Sequence, residues 1–477
     1  MLFGHCAAKE KMPQNKMTIG KLLAYAAPAA PIAALGLPIT VYLPPFYESL
    51  GLGLGTVGAI FMLSRFWDVF TDPVLGIVSD HYPSRWGRRR HWIVLSIPIL
   101  LLSVYMVFLP PGEVSSLYLG IWMFVLYLGY TLASLSHMSW GTELSDDYHQ
   151  RSTIHGAREV ALIFGMFSVL TLPAIIEIFP GLFGFEEGKA IPLTTKVGSM
   201  GIYIMVLFPI TVAIAMAFVG ERKAPKPEKI HWGDTLSALW KDKMLQRILI
   251  MDLLVGAAPG ITGALYLYFY DSYMQVGEYS SILLLSYFIA GCLSVPLWIK
   301  LSYMIGKHRA FSFAQIYGGL ALPIVFFVPK GDFMWAFIST SLYGLAYGAG
   351  PFLMRAMMSD LTDKDNFENG TQRTGLYFSL LTLTNKIGGA VAVGAGYIAL
   401  EMMGYIPRGE NTPEVVEQLS LLYVGVPAIV MVSVAVIMWN YPLGMKEHKE
   451  LRRKIDERDS LIAKKQSSEG DSEQTAL

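Results

Sequence analysis

Two aspartates stand one helical turn apart in a segment that otherwise has the composition of a membrane-spanning helix. The segment reads RFWDVFTDPVLGIVSD and contains Asp68 and Asp72, with Arg65 shortly before them. Residues four apart share one helix face, and a carboxylate in hydrocarbon is costly enough to mark an ion or substrate pathway. Carboxylate oxygens suit hard cations, while two acids held together favour keeping a proton. The pair therefore predicts a cation site for Na+ or H+, and both ions remain open.

A structural interpretation of the same spacing is the alternative. Asp68 could simply pair with Arg65, and Asp72, directly before Pro73, could cap a break in the helix. A lone cation elsewhere favours the functional interpretation. Lys386 stands more than a turn inside the predicted span 374–403, in the small-residue stretch TNKIGGAVAVGAGY, so it must find a counterion or a water-filled cavity unless it reaches the interface. We expect Lys386 to pair with the acids across the two halves of the chain.

The composition predicts that lipid surrounds these residues. Of 477 residues, 53% are hydrophobic and only 16% are charged, with a mean hydropathy of +0.45. A soluble chain carries about a quarter charged residues. The prediction is an all-α, multi-pass protein whose partner is the lipid bilayer. Nothing indicates a nucleic-acid partner, a cofactor or a metal-ligand spacing, and no nucleophile elbow or phosphate loop indicates an enzyme.

Apolar runs of about 20 residues predict twelve transmembrane helices in two bundles of six. The first six runs are 20–48, 53–79, 91–110, 115–143, 155–180 and 197–220. The second six are 244–271, 279–304, 309–329, 333–359, 374–403 and 416–441. Lys and Arg concentrate after the even-numbered runs, which predicts that both termini are cytoplasmic, with the plasma (inner) membrane as the expected location.

Five regions follow from these runs. They are an N-terminal tail at 1–18, an N-terminal bundle at 19–220, a middle loop at 221–243, a C-terminal bundle at 244–442 and a C-terminal tail at 443–477. We expect the middle loop to include an amphipathic helix and the end of the tail to be disordered. A weak repeat links the halves, since SRWGRRRHW is echoed by YMIGKHRAF and HQRST by TQRTG.

Three segments, in order along the chain, resemble a known family. WDVFTDPVLGIVSD with SRWGRRRHW, then SWGTELSDDYHQRSTIHGAREVALIFG, then MMSDLTDKDNFENGTQRTGLYFSLLTLTNKIGGAV resemble the glycoside-pentoside-hexuronide:cation symporters, the melibiose permease-like branch of the major facilitator superfamily. The resemblance implies cation-coupled symport of a sugar-like solute by alternating access. The site residues that it implies are the cation-binding Asp68, Asp72 and Thr131, the coupling Lys386, and the solute-contacting Trp140 and Arg158.

Charges at the predicted cytoplasmic helix ends indicate a gate. An acid facing a group of arginines can form a latch that breaks when two bundles rock apart, although the arginines also satisfy the positive-inside rule without a latch. We expect Asp360 to pair with Arg355 or Arg373, and for Arg158 inner-gate pairing is as plausible as solute contact. The predicted gating residues are Asp80, Arg88, Arg89, Glu143, Arg151, Asp360 and Arg373.

Two polar features near the seventh helix are interpreted as structural. Asp252 is expected to stabilise the helix start. Tyr266, Tyr268 and Tyr270 are expected to form an interfacial aromatic belt.

The chain departs from the family at the expected solute site. The first helix, LLAYAAPAAPIAALGLPITVYLPPFY, has no charge, whereas melibiose-type members place an acid and usually a lysine there. Ser136 falls where those members keep a sugar-binding acid, and His137 is the other polar candidate, unless it is hydrogen-bonded inside the bundle. A glycoside is the leading substrate hypothesis. A lysolipid-type amphiphile is the second, because an apolar first helix suits an acyl chain, and a non-transporting sensor is the third; the oligomeric state is not indicated.

Overall fold

The computed structural model describes eight stretches of the chain, and within them almost every residue is helical. The described residues are 17–82, 84–145, 148–186, 189–221, 242–369, 373–455, 457–458 and 460, without the side chains of 80, 81, 148, 149, 152 and 351. The predicted disordered end of the C-terminal tail, the amphipathic segment of the middle loop and the Asp80 side chain lie outside this part. The only bridge recorded among the described residues joins Ser84 and Gly87.

In the described part of the chain, twelve helical runs follow one another before a short tail helix, and this confirms the predicted all-α fold. The N-terminal half contains α1 Ile19–Ser49, α2 Leu54–His81, α3 Arg90–Phe108, α4 Ser116–Glu143, α5 Tyr148–Ile178 and α6 Leu193–Phe218. The C-terminal half contains α7 Lys243–Tyr273, α8 Ser280–Ile305, α9 Lys307–Phe327, α10 Phe333–Tyr347 with Gly350–Asn369, α11 Thr374–Met402 and α12 Pro413–Trp439. A thirteenth helix, α13, covers residues 445–455.

Ten of the described helices are long and apolar enough to cross a membrane by length and composition alone. The two others are α2, which carries the paired acids, and α10, which is interrupted after Tyr347. A helix that lines a polar pathway needs less hydrophobicity than one that faces lipid. That all twelve cross the bilayer stays a prediction.

The two halves share local features at equivalent places. A π-helical turn occurs in α1 at Pro38–Tyr42 and in α7 at Phe269–Tyr273. The glycines of the two echoed segments, Gly87 and Gly306, both adopt a positive φ, of 113° and 92°. Glycine reaches this conformation without a Cβ penalty, so the chain can turn sharply into α3 and into α9.

Small residues bring α11 close to two neighbours, one in each half. A Cβ atom added at Gly58 of α2 would overlap Tyr397 of α11, and one at Gly394 would overlap Met62. On the other side, a Cβ at Gly388 would overlap the Leu253 carbonyl of α7. Small residues at membrane helix crossings allow such backbone approach. Helix α11 therefore lies between α2 and α7 and connects the two halves.

Candidate functional site

The paired acids of α2 meet the buried lysine of α11. Lys386 Nζ lies 2.7 Å from Asp68 Oδ2 and 2.6 Å from Asp72 Oδ2. The Asp68 side chain is 5% exposed, while those of Asp72 and Lys386 are about a quarter exposed. Arg65 donates to Thr40 Oγ1 at 2.5 Å, so the described ion pair of Asp68 is with Lys386 and not with Arg65. The three charges join the two halves electrostatically.

Helix α4 adds a hydroxyl to this cluster. Thr131, which is 1% exposed, donates from Oγ1 to Asp68 Oδ1 at 2.5 Å. Carboxylate and hydroxyl oxygens are ligands that suit a hard cation. The structure thus brings together the four residues for which a cation-binding or coupling role is predicted, and the role itself stays a prediction.

A cavity of about 340 Å³ begins at Lys386 and extends among the helices of the C-terminal half. Its polar wall residues include Asp252, Gln315, Arg355 and Asn385. Asp252 is 4% exposed and accepts hydrogen bonds from Thr384 Oγ1 at 3.1 Å and Asn385 Nδ2 at 3.5 Å. The expectation that Asp252 stabilises the start of α7 is wrong, because its carboxylate is bound to α11 and lines this cavity.

The solute-contacting residues predicted in the N-terminal half lie elsewhere and are enclosed. Ser136, His137 and Trp140 are each 0% exposed, and none of them lines the cavity. Tyr25 of α1 stacks on His137 at a ring distance of 4.6 Å and meets the edge of Trp140 at 5.6 Å. His137 Nε2 lies 2.7 Å from the Tyr25 carbonyl oxygen. Solute contact by these residues stays a prediction, and it requires Tyr25 to move.

Arg158 lies close to the same aromatic group. It is 8% exposed and forms an ion pair with Glu159 at 3.4 Å. Its Nε is buried and has no hydrogen-bond partner among the described residues. Inner-gate pairing and solute contact by Arg158 both stay predictions.

The predicted gate residues of the N-terminal half form a compact cluster where α3 begins and α4 ends. Glu143 Oε1 accepts from Arg88 at 2.5 Å and from Arg89 at 2.9 Å. Arg89 also donates to Ser79 at 2.7 Å, and Arg151 donates to the Ser145 carbonyl at 2.5 Å. These partners all belong to the N-terminal half. The described contacts therefore stabilise this bundle, and a gating role stays a prediction.

Replacing Glu143 by glutamine should destabilise this cluster. Its side chain is 8% exposed and accepts from two guanidinium groups, and removing one partner of a buried ion pair costs about 3–5 kcal/mol. We expect a clearly lower thermal unfolding temperature of the purified protein. Glu186→Gln is the control, since its ion pair with Lys189 is exposed on both sides; equal unfolding temperatures for the two variants would contradict the prediction.

In the C-terminal half, Asp360 occupies the equivalent place with different partners. It accepts from Lys307 Nζ at 2.7 and 2.8 Å, and His448 Nε2 of α13 lies 3.1 Å away. Arg373 instead pairs with Asp365 at 2.5 and 3.0 Å. The expected pairing of Asp360 with Arg355 or Arg373 is wrong, because the start of α9 and the tail helix reach the carboxylate first.

A buried ion pair that the sequence patterns did not predict lies at the opposite end of the molecule. We call this the outer end, defined by the ends of α1 and α7 at Ser49 and Tyr273. Lys196 Nζ of α6 lies 2.5 Å from Glu177 Oε1 of α5, and the side chains of Glu177 and Lys196 are 0% and 5% exposed. Both Glu177 oxygens accept from the Ser281 backbone N–H at 3.1 Å. The signal for Glu177 was a lone carboxylate in the apolar run TLPAIIEIFP.

This outer ion pair joins the two halves at the start of α8. Glu177 also accepts from the Ile282 N–H at 3.0 Å, and Tyr42 donates to Ser281 Oγ at 3.0 Å. The first N–H groups of a helix have no partner within the helix, and they attract negative charge. Glu177 therefore caps a helix of the other half while Lys196 balances its charge.

The tyrosines near the end of α7 are part of the same closed region. Tyr266, Tyr268 and Tyr270 are only 4–6% exposed. Tyr266 donates to the Ser280 carbonyl at 2.9 Å, and the Tyr270 hydroxyl lies 2.5 Å from Thr340 Oγ1. The predicted interfacial belt is wrong, because these rings are packed inside the protein.

Fold and site together define the class of protein as a membrane transporter, with helices in two related halves and a charged site between them. The chain belongs to the MFS/sugar transport protein family, whose model matches residues 24–445. Family membership confirms the predicted resemblance and establishes a transporter of the major facilitator superfamily and not an enzyme.

Curated relatives match along most of their length. The glucuronide carrier protein homolog of Escherichia coli is 24% identical, with 88% of this chain and 91% of the relative aligned. The isoprimeverose transporter of Lactiplantibacillus pentosus is 22% identical, with 87% of this chain and 86% of the relative aligned. The sodium-dependent lysophosphatidylcholine symporter 1 of Xenopus tropicalis is 22% identical over 93% and 90%.

Solved structures share the fold. The nucleoside transporter NupG matches with a TM-score of 0.62 and 16% identity over 89% of this chain and 100% of NupG. The xylose transporter XylE from E. coli matches with a TM-score of 0.56 and 14% identity over 91% and 97%.

Proposed function

We propose that the protein is a secondary active symporter in which one monovalent cation, Na+ or H+, drives uptake of a sugar-like polar solute. The observation that carries the proposal is the bridge between Lys386 of one half and Asp68 and Asp72 of the other, beside a polar cavity. Sodium is named for the lysophosphatidylcholine relative, and here the ion remains Na+ or H+.

The charges of the bridge supply a reason for coupling. Two carboxylates and one ammonium leave one negative charge uncompensated, and an unbalanced charge inside a membrane protein is costly. Binding of one cation balances it. Lys386 and an incoming cation compete for the same oxygens, so cation binding releases Lys386 toward the adjoining cavity. Cation and solute can thereby bind in a linked manner.

Alternating access requires the two ends of the protein to open in turn. The contacts of Glu177 and Tyr42 with Ser281 close the outer end. Two bundles that rock about a central site exchange such contacts for others. We propose that the predicted gating residues act at the other end, and that both termini face the cytoplasm.

The cavity supports a sugar-like solute over an amphiphile. Its volume of about 340 Å³ is near the lower limit of ligand pockets, about 300–1,000 Å³. Five of its wall residues carry a charged or amide group, namely Asp252, Gln315, Arg355, Asn385 and Lys386, and these groups would be unpaired against an acyl chain. The relatives named for glucuronide and isoprimeverose also favour a sugar-like solute. A lysolipid is the second candidate, because the lysophosphatidylcholine symporter aligns with 93% of the chain.

Transport into proteoliposomes tests the proposal. Purified full-length protein is reconstituted, and a Na+ gradient, an H+ gradient or no gradient is imposed. Radiolabelled methyl glycosides of glucose, xylose and glucuronic acid are offered, with lysophosphatidylcholine as a competitor. We expect one gradient to drive accumulation of at least one glycoside. Accumulation of none of them would contradict the sugar proposal, and uptake of the lipid alone would favour the second candidate.

A further inference from the structure

We infer that Asp252 binds hydroxyl groups of the transported solute, so that the main polar solute subsite lies in the C-terminal half beside Lys386. The inference rests on the proposed function and assigns the substrate class of that site as a polyhydroxylated molecule. It also moves the subsite away from the fully buried N-terminal residues Ser136, His137 and Trp140, the last two of which pack against Tyr25.

The Asp252 carboxylate has capacity for further hydrogen bonds. It is 4% exposed, and its described partners are Thr384 Oγ1 and Asn385 Nδ2. An ionised carboxylate offers about four acceptor positions, and a buried one that is incompletely satisfied costs free energy. Since Asp252 lines the cavity, a solute bound there can supply further hydrogen-bond donors to its free acceptor positions. A hydroxyl is the donor that a neutral solute can offer.

Two further wall residues offer polar groups to the same space. Gln315 is 7% exposed and lines the cavity together with Arg355, whose guanidinium lies within electrostatic reach of Asp252. The Gln315 amide can both donate and accept, and the Arg355 guanidinium donates. Together with Asp252 they form a mixed set of donors and acceptors. A sugar hydroxyl also donates and accepts, so this set fits several hydroxyls at once.

Aromatic side chains complete the cavity wall. Tyr287 of α8 and Tyr347 of α10 both line the space, and their rings are 5.6 Å apart. Ligand sites typically combine aromatic surface with a few placed polar groups. The apolar C–H faces of a pyranose can pack on such rings while its hydroxyls reach Asp252.

The position of Asp252 connects this subsite with the cation site. Asn385, which holds Asp252, directly precedes Lys386 in α11. The helices α7 and α11 are in direct backbone contact beside the two sites, because a Cβ atom added at Gly256 or Gly388 would overlap the backbone of the other helix. A solute bound to Asp252 therefore acts on the same turn of α11 that holds the coupling lysine.

Asp252→Asn in the full-length protein tests the inference. The amide keeps nearly the same size and one acceptor oxygen for Thr384, so folding should be retained, and this is checked by thermal unfolding. The probes are the methyl glycosides of glucose, xylose and glucuronic acid and each monodeoxy derivative of the best one. We expect KM for that glycoside to rise about 10- to 100-fold, as for loss of hydrogen bonds to a charged group, with cation affinity unchanged.

The deoxy derivatives separate binding from a structural role. One derivative should bind the wild type much more weakly than its parent, and Asp252→Asn should abolish that difference. A rise in KM that is equal for the parent and all derivatives would show a structural role and overturn the inference, as would an unchanged KM. Thr384→Val, which removes one partner of Asp252, is expected to give a smaller rise. If the wild type accumulates none of the probes, the proposed function fails first, and the inference fails with it.

Discussion

Replacement of Asp68 by asparagine should abolish cation-driven accumulation in proteoliposomes, leaving equal solute concentrations inside and outside. Asp68 is the most buried member of the bridge and contacts Lys386 and Thr131. The substitution removes the negative charge that attracts the cation and leaves Lys386 with one carboxylate. Because one carboxylate ligand and its negative charge are missing from the proposed site, cation affinity should fall about 100-fold or more, which corresponds to roughly 3 kcal/mol. Asp72→Asn should also lower cation affinity, but by a smaller factor, since the Asp72 side chain is more exposed than that of Asp68.

Lys386→Gln distinguishes coupling from cation binding. Without the ammonium, the two acids lose a competitor for the cation, so cation affinity measured by isothermal titration should not fall. Accumulation should nevertheless be lost, because nothing then transmits cation binding to the cavity. Glu113→Gln, in an exposed loop, serves as the control. If the Asp68→Asn and Asp72→Asn variants still accumulated solute fully, the assignment of the cation site to Asp68 and Asp72 would be contradicted.

Replacement of Glu177 by glutamine should shift the protein toward a state that is open at the outer end. Lys196 would keep its charge in a site where its side chain is 5% exposed, and such an unpaired charge costs about 3–5 kcal/mol. Opening of the outer end exposes Lys196 to water and relieves that cost. The equilibrium between the closed and open outer end should therefore change by about 100-fold or more.

Distances between spin labels at residues 113 and 410, on outer loops of the two halves, report this change. Both positions are exposed. The distance distribution in the Glu177→Gln variant should move to longer values than in the otherwise unchanged labelled protein. The matched control is Glu186→Gln, which removes an exposed ion pair with Lys189 and should have almost no effect. If the Glu177 variant kept the distribution of the control, the outer pair would be structural and not part of a gate.

Hydrophobicity and helical spacing along the chain predicted the class of protein and the three members of its charged bridge. Apolar runs of membrane length predicted the helices, and helical spacing placed Asp68 and Asp72 on one face. Lys386 was predicted as their partner because a lone charge in an apolar helix must be compensated. These inferences succeed because hydrophobicity and local spacing are properties of the chain before it folds.

Which polar groups face a cavity and which are enclosed depends on how the helices pack against one another. Asp252 looked like a helix-start residue, and Trp140 looked like a solute contact. In the folded protein Asp252 lies in a cavity wall, and Tyr25 packs against Trp140. The backbone partners of Glu177, Ser281 and Ile282, lie more than a hundred residues away along the chain. Such contacts depend on how the two halves pack, and single-helix patterns contain no information about the facing surface.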